Sequence, residues 1–309
     1  MIKRKRIETV TEEIEWINTI GLTSEDKQIL VEEDGLANDF LEYAMDMDEN
    51  ARVEQDNDNG ARLLSFDAPY FDSDSNSYTT RPLVFIIKDS RLYTFMDDDR
   101  DYSQINHLLN RSFQAEGYDS LYHMLFSILY QFAMMYHDKL RILHKERENI
   151  GKAFRRNADN NEIYRLTNVE TGLVYLLSSL KGNKIALNTL RRRWGYGITA
   201  FSDIESEKLE DILVELAQAI EVSEINMTLV EKEKSTYSTI IDNNLNGTMK
   251  YLTIITSFLA VGEVTFGFFG MNTEIPFLNS PFGWIYTILV TGVFCGILGY
   301  FLWKMKLFK

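Results

Sequence analysis

Cysteine is almost missing from this sequence of 309 residues: Cys295 stands alone. One thiol excludes a disulfide framework and a cysteine metal site within the chain. Proline is nearly as scarce, with four copies at Pro69, Pro82, Pro276 and Pro281. The interval from Leu83 to Ile275 holds none, so helices there have no proline to break them. There is no nucleotide-binding Gly-rich loop, no HExxH pair and no serine elbow, and nothing points to an enzyme. Positive charge is in deficit, 32 Lys and Arg against 46 Asp and Glu, for a formal net charge of -14. That balance argues against nucleic acid as a partner. The opening MIKRKRIETV is basic but lacks an apolar stretch, so it does not read as a signal peptide.

What the chain does have is two long runs almost free of charge. Gly247 to Asn272 carries a single charge after Lys250, Glu263. Phe282 to Trp303 carries none. At about 1.5 Å per residue each run spans a hydrocarbon core about 30 Å thick. Separated only by Thr273 to Pro281, they read as a transmembrane hairpin. A pair of buried core helices is the alternative, though uncharged runs of this length are rare in soluble domains. Lys232, Lys234 and Lys250 flank the first run, Lys304, Lys306 and Lys309 follow the second, and TEIPFLNSP between them has no Lys or Arg. Both termini are therefore expected on the cytoplasmic side.

The first run is not uniformly apolar. Met249, Leu252, Thr256, Ala260, Glu263, Gly267 and Gly270 recur at spacings of three or four and form one helical stripe. Tyr251, Ile255, Phe258, Val261, Phe266 and Phe269 point elsewhere. A carboxylate facing lipid is costly, so Glu263 is expected to face other protein or water. Copies of this helix around an axis would put the stripe on a pore; small-residue packing in a simple bundle is the alternative.

The first run ends in Gly270-Met271-Asn272 and is led in by Met249-Lys250-Tyr251-Leu252-Thr253-Ile254-Ile255. With a second span close behind and a long acidic region before, these residues resemble the CorA family of magnesium transporters. The resemblance covers the whole chain in architecture and about Asn244 to Asn272 in close sequence. It implies an α+β cytoplasmic domain, a long helical stalk and two C-terminal transmembrane helices, assembled as a homopentameric funnel in the plasma (inner) membrane. It implies uptake of Mg2+, gated by intracellular Mg2+, so that Mg2+ is both cargo and regulator. Further copies of the chain and membrane lipid are the implied partners.

Mg2+ dehydrates reluctantly. In the family's manner, Asn272 amide oxygens and Gly270 carbonyls, with Met271 between them, would meet a hydrated ion at the pore mouth. Met249 and Leu252 match the family's inner hydrophobic constriction, which can close by dewetting. Asn246 matches a polar pore residue just below. A gapless match backward from the tripeptide puts Asp211 on a family acid that helps hold a regulatory Mg2+. Its partner from a neighbouring subunit would be Asp72 or Asp74. The chain departs from the family midway along the first span, where a proline and a threonine are common and Val261 and Glu263 stand. A ring of Glu263 would place strong negative charge in the pore or share protons among neighbours. A Zn2+ or other transition-metal transporter of the same superfamily is a second reading. Met271 argues against it, and Glu263 keeps it open. A membrane-anchored scaffold is a third, and leaves the stripe unexplained.

The resemblance divides the chain into an α/β domain over 1–100, antiparallel long helices over 101–200 and a stalk helix entering the first span over 201–272. An external loop at 273–281 and the second span with its basic tail at 282–309 complete it. Within the first of these, Glu12 to Thr19, Thr23 to Leu30 and Gly35 to Met47 read as helices. Ala61 to Phe66, Pro82 to Lys88 and Arg91 to Met96 read as strands, the last two as a hairpin. Asp72 to Thr80 reads as a polar loop. Apolar spacing predicts helices over Tyr118 to Phe154 and Glu162 to Arg192, with a turn at Asn157 to Asn161. A further helix starts near Ser202-Asp203, carries Leu209, Ile212, Leu213, Leu216, Ile220, Ile225 and Leu229, and meets no strong breaker before the membrane. A helix of that length is not stable alone and needs partners. His123, His137 and His144 are read as interfacial or solvated, Arg191 to Arg193 as a helix end, and Asp97 to Asp101 as a solvated loop.

Overall fold

The structure, a computed structural model, describes residues 2–46, 50–96, 103–114, 117–156, 158–195, 200–271 and 282–305. They form two compact units, Met1–Ser235 and Thr236–Lys309.

The first unit is built on a six-stranded sheet. Its strands are β1 (Ile2–Glu8), β2 (Glu13–Ile20), β3 (Arg52–Gln55), β4 (Arg62–Asp72), β5 (Ser77–Lys88) and β6 (Arg91–Met96), in the order β1-β2-β6-β5-β4-β3. Neighbours are antiparallel except β2 and β6, which run parallel. The middle of β5, Leu83 to Ile87, is buried on both faces, and its unbroken apolar run follows from that. On one face, α1 (Ser24–Glu32) and α2 (Asn38–Met45) set Leu30, Phe40 and Leu41 against Val84, Ile86 and Tyr93. A capping box between Thr23 and Asp26 starts α1. On the other face α3 (Ser103–Gln114), α4 (Leu121–Arg156) and α5 (Asn160–Trp194) follow in the chain; α5 packs on β3, β4 and β5, and Phe132 of α4 meets Phe66 of β4 at 6.3 Å between ring centroids.

The long helices bury lines spaced alternately by three and four, the period of left-handed coiled packing. In α5 the line includes Leu166, Val169, Leu173, Leu176, Leu180 and Asn183. In α6 (Asp203–Phe269) it includes Leu209, Ile212, Leu216, Ala219, Ser223 and Asn226. Ile225, expected on the inward line, is 54% exposed. The strict seven-residue repeat drifts against 3.6 residues per turn and picks Ser223 and Asn226 instead. The helix is 67 residues long without interruption.

Two local expectations are corrected. Glu12 to Thr19 is not a helix but most of β2. Its Ile14, Trp16, Ile17 and Thr19 suit a pleated surface, and pairing with both β1 and β6 outweighs what its charged residues suggest. Asp72 to Thr80 is not a loop throughout, since Ser77 to Thr80 belong to β5. The turn is only four residues, 73–76, with Asn76 at φ 50°.

In the second unit the C-terminal part of α6 and α7 (Gly283–Lys304) are each long and apolar enough to cross a membrane, by length and composition. They pack antiparallel. Phe258 lies over Gly299, where an added Cβ would stand 3.7 Å from the ring, and the hydroxyls of Thr265 and Thr291 meet at 2.9 Å.

Candidate functional site

The residues of α6 that turn toward α7 are Ile254, Ser257, Phe258, Val261, Gly262, Thr265 and Phe269. All are buried or half-buried. At about 100° per residue, Glu263 is turned about 160° from Thr265. The same rotation puts Met249, Leu252, Thr256, Ala260, Gly267 and Gly270 on its side, and every one of these, with Asn246 below, is exposed. The stripe therefore lies on the face away from α7, and packing of the hairpin does not consume it. Of the aromatic and aliphatic residues off the stripe, Phe258, Val261 and Phe269 turn to α7, while Tyr251, Ile255 and Phe266 stay exposed.

Each stripe residue keeps its chemistry within its own helix or free. The Thr256 hydroxyl is in reach of the Leu252 carbonyl at 2.9 Å, an ordinary helical bond for threonine. Glu263 makes no hydrogen bond or ion pair among the described residues. Gly270 closes the helix, its N–H donating to the Phe266 carbonyl at 2.8 Å. A Cβ there would come within 3.0 Å of that oxygen, so the close turn suits glycine. Met271 follows, exposed. Asn272, the loop 273–281 and the tail lysines Lys306 and Lys309 lie outside the described residues, as do Asp97 to Asp101 and Asn157.

The two proposed regulatory acids stand on different elements of the first unit. Asp72 ends β4 and closes the turn to β5. It accepts from the Asp74 N–H at 3.0 Å and from the Ser75 hydroxyl at 2.7 Å. Those bonds, the Ser75 one foremost, hold its carboxyl below the usual carboxylate range. Asp211 is on α6 and exposed. Among the described residues no group of three or more His, Cys, Asp and Glu side chains gathers as a metal site would.

Of the three histidines read as interfacial or solvated, His137 and His144 lie between α4 and α6, and His123 pairs with Asp119 beside its own helix. His137 of α4 stands 3.0 Å from the Glu215 carboxylate of α6, without the alignment of a hydrogen bond, and His144 Nδ1 is 3.1 Å from Asn226 Oδ1. Arg191 to Arg193 end α5, with Arg191 paired to Glu210 at 2.7 Å. The seam of Glu215, Asn226 and Glu233 along α6, the last paired with Arg147 of α4 at 2.7 Å, was not read from the sequence, because its partners lie on α4. Thr265 and Thr291 were missed too, since each apolar run carries several hydroxyl residues and spacing does not single out the pair that meets.

A layered α/β/α domain followed by a helix that runs on into an antiparallel pair of apolar helices defines a two-span membrane protein with a large N-terminal domain. The chain belongs to the family described as CorA-like Mg2+ transporter protein, whose profile matches residues 11–304. This is a family of transporters, not enzymes. A curated relative, the cobalt/magnesium transport protein CorA of Methanocaldococcus jannaschii, is 26% identical over 279 residues, 89% of this chain and 86% of its own length. The complete structure of the CorA magnesium transporter from that organism superposes with a TM-score of 0.74 at 24% identity, covering 94% of this chain and 90% of that one. The full-length CmaX protein shares the fold with a TM-score of 0.72 at 16% identity, covering 96% of this chain and 89% of that one.

Proposed function

We propose that the protein is a homopentameric Mg2+ channel that carries the ion inward across the plasma membrane and is closed by intracellular Mg2+. One observation carries this reading: the polar and small face of α6 is exposed and turned away from α7. A carboxylate in that position is costly against lipid but suits a water-filled path. Around a shared axis, Met249 and Leu252 form the constriction that closes by dewetting, with Asn246 below, and Thr256 and Glu263 line the middle. Gly270, Met271 and Asn272 form the outer mouth, where amide and carbonyl oxygens accept from the ion's water shell.

A second exposed apolar line on α6, with Ile204, Val214, Val222 and Ile225, supports self-association. Asp211 of one copy with Asp72 or Asp74 of the next would hold the inhibitory ion. The lysines flanking the spans support cytoplasmic termini. Because the Methanocaldococcus jannaschii relative is named for cobalt and magnesium, Co2+ is the second cargo to measure.

The test is Mg2+ uptake by liposomes holding the purified full chain. Wild type should take up Mg2+ saturably. Asn272→Ala should lose most of that uptake while native mass spectrometry shows the same oligomer. Uptake by assembled wild type no faster than by empty liposomes overturns the reading.

A further inference from the structure

We infer that the seam between α4 and α6 is a proton-sensitive latch, in which a proton on His137 draws α6 against α4 through Glu215. The two helices run side by side in the same direction. Tyr130, His137, His144 and Arg147 of α4 meet Lys208, Glu215, Asn226 and Glu233 of α6 in that order. Apolar burial holds α6 at Leu209, Ile212, Leu213 and Leu216, and again at Val230. Between Leu216 and Val230 its buried residues are Ala219, Ser223 and Asn226. Little apolar area is buried there, so polar contacts decide how firmly the helix is held.

Those contacts are incompletely made. His137 Nε2 is buried and stands 3.0 Å from the Glu215 carboxylate without a hydrogen bond. Arg147 reaches Glu233 through Nη1 at 2.7 Å, yet its Nε and the second Glu233 oxygen are buried without a bond. Buried polar atoms are normally satisfied, so the seam has contacts still to gain by closing. An imidazole nitrogen without a proton turns its lone pair to the carboxylate and is repelled. With a proton it donates a charge-assisted bond. Imidazole changes charge between about pH 5 and 8, so the attraction is present on the acid side of that range and fades as pH rises. The other charged groups around His137 have partners of their own. On α4, Asp138 pairs with Arg141 at 2.8 Å, Lys139 donates to Gln104 of α3 at 3.0 Å, and His144 stands 3.5 Å from Glu148. On α6, Lys208 lies over Tyr130 at 4.7 Å and Asp211 is exposed. From α5, Lys181 and Arg191 cross to Glu224 and Glu210, each at 2.7 Å. Glu215 is the charge that answers His137. Because α6 continues unbroken to Phe269, on the transport reading above the latch sets how freely the pore-lining helix moves.

Thermal unfolding of the full chain in detergent, as a double-mutant cycle of His137→Gln and Glu215→Gln, reads the pair directly. It is run at about pH 6 and about pH 8, on either side of the ordinary histidine range. On the acid side each single change should lower the melting temperature by about 2–4 °C, and the double change by no more than one of them. On the alkaline side the single changes should have little effect. Coupling that is absent in acid, or as large in alkali, overturns the inference. If one single variant does not assemble, the other decides, through whether it melts below wild type in acid and rejoins it in alkali. Mg2+ flux in liposomes at the same two pH values tests the consequence. Wild-type flux should differ about fivefold or more between them, and His137→Gln should remove most of that difference. No difference in wild type, or an unaltered one in His137→Gln, overturns control of the pore by the latch. Wild type that carries nothing overturns the transport reading, and the thermal cycle still decides the latch.

Discussion

Asp67 sits opposite Pro82 across β4 and β5, and proline has no N–H to offer it. On its other side β3 pairs β4 only from Arg62 to Ser65. The Asp67 backbone is served from α5 and α4 instead. Asn183 of α5 takes both groups, accepting from the Asp67 N–H and donating to its carbonyl, each at 2.9 Å. Tyr136 of α4 donates to the same carbonyl at 2.8 Å. Asn183→Leu should destabilise the protein by about 1–3 kcal/mol, because the Asp67 N–H loses the Asn183 acceptor while the carbonyl keeps Tyr136. Thermal unfolding should show a fall of roughly 5–10 °C. Burial pushes the Tyr136 phenol well above its ordinary range, and pushes Tyr93 up to about 12. Both phenols stay neutral in the folded state after the unfolded chain ionises. Their contribution is full below the unfolded value of about 10 and fades as pH rises through the folded values. Stability measured against alkaline pH should fall less steeply in Tyr136→Phe than in wild type. The Asn183 pairing was not legible in the sequence, where it is one polar residue on the heptad line of a helix.

At the scale of elements, α4, α5 and α6 were legible because a proline-free stretch with apolar residues every three or four positions has few other ways to bury them. β2 was not, since a short segment with alternating charge becomes a strand only when β1 and β6 lie alongside. The stripe on α6 was legible as a line, and α7 decides which side of the helix it occupies. Two tests belong here. Gly267→Leu should leave the hairpin intact, since a Cβ there meets no described atom within 4 Å, yet reduce flux strongly by filling the path. Normal flux through Gly267→Leu would put the stripe on lipid. In a Cys295→Ser background, Thr256→Cys should cross-link copies of the chain on oxidation, and Val261→Cys, which faces α7, should not. Equal cross-linking of both would show that α6 is not turned with its stripe to the axis.

For the whole molecule, the net charge of -14 makes a high-affinity association with polyanions unfavourable and suits a surface that concentrates cations. Native mass spectrometry in detergent should find five copies of the 35.9 kDa chain. The proposed regulation also belongs to this scale, because in that proposal Asp211 would hold the ion with an acid from a neighbouring copy. Asp211→Asn should leave flux active at internal Mg2+ levels that shut wild type, with ion preference unchanged. An identical inhibition curve would remove Asp211 from the site. Asp72 is the weaker half of that pair, as both its oxygens already accept bonds within its own turn.

By itself the sequence determined the two candidate spans, the unbroken helix leading into the first, and the line from Met249 to Gly270. Each depends on spacing along one helix, which is a local property of the chain. Only the tertiary structure decided that β2 is a strand, that it runs parallel to β6, and that Asn183 serves a backbone 116 residues away. It also decided that α7 covers the Thr265 side of α6 and leaves Glu263 open. Those facts depend on partners distant in the chain, and spacing along one segment carries no record of what will be packed against it.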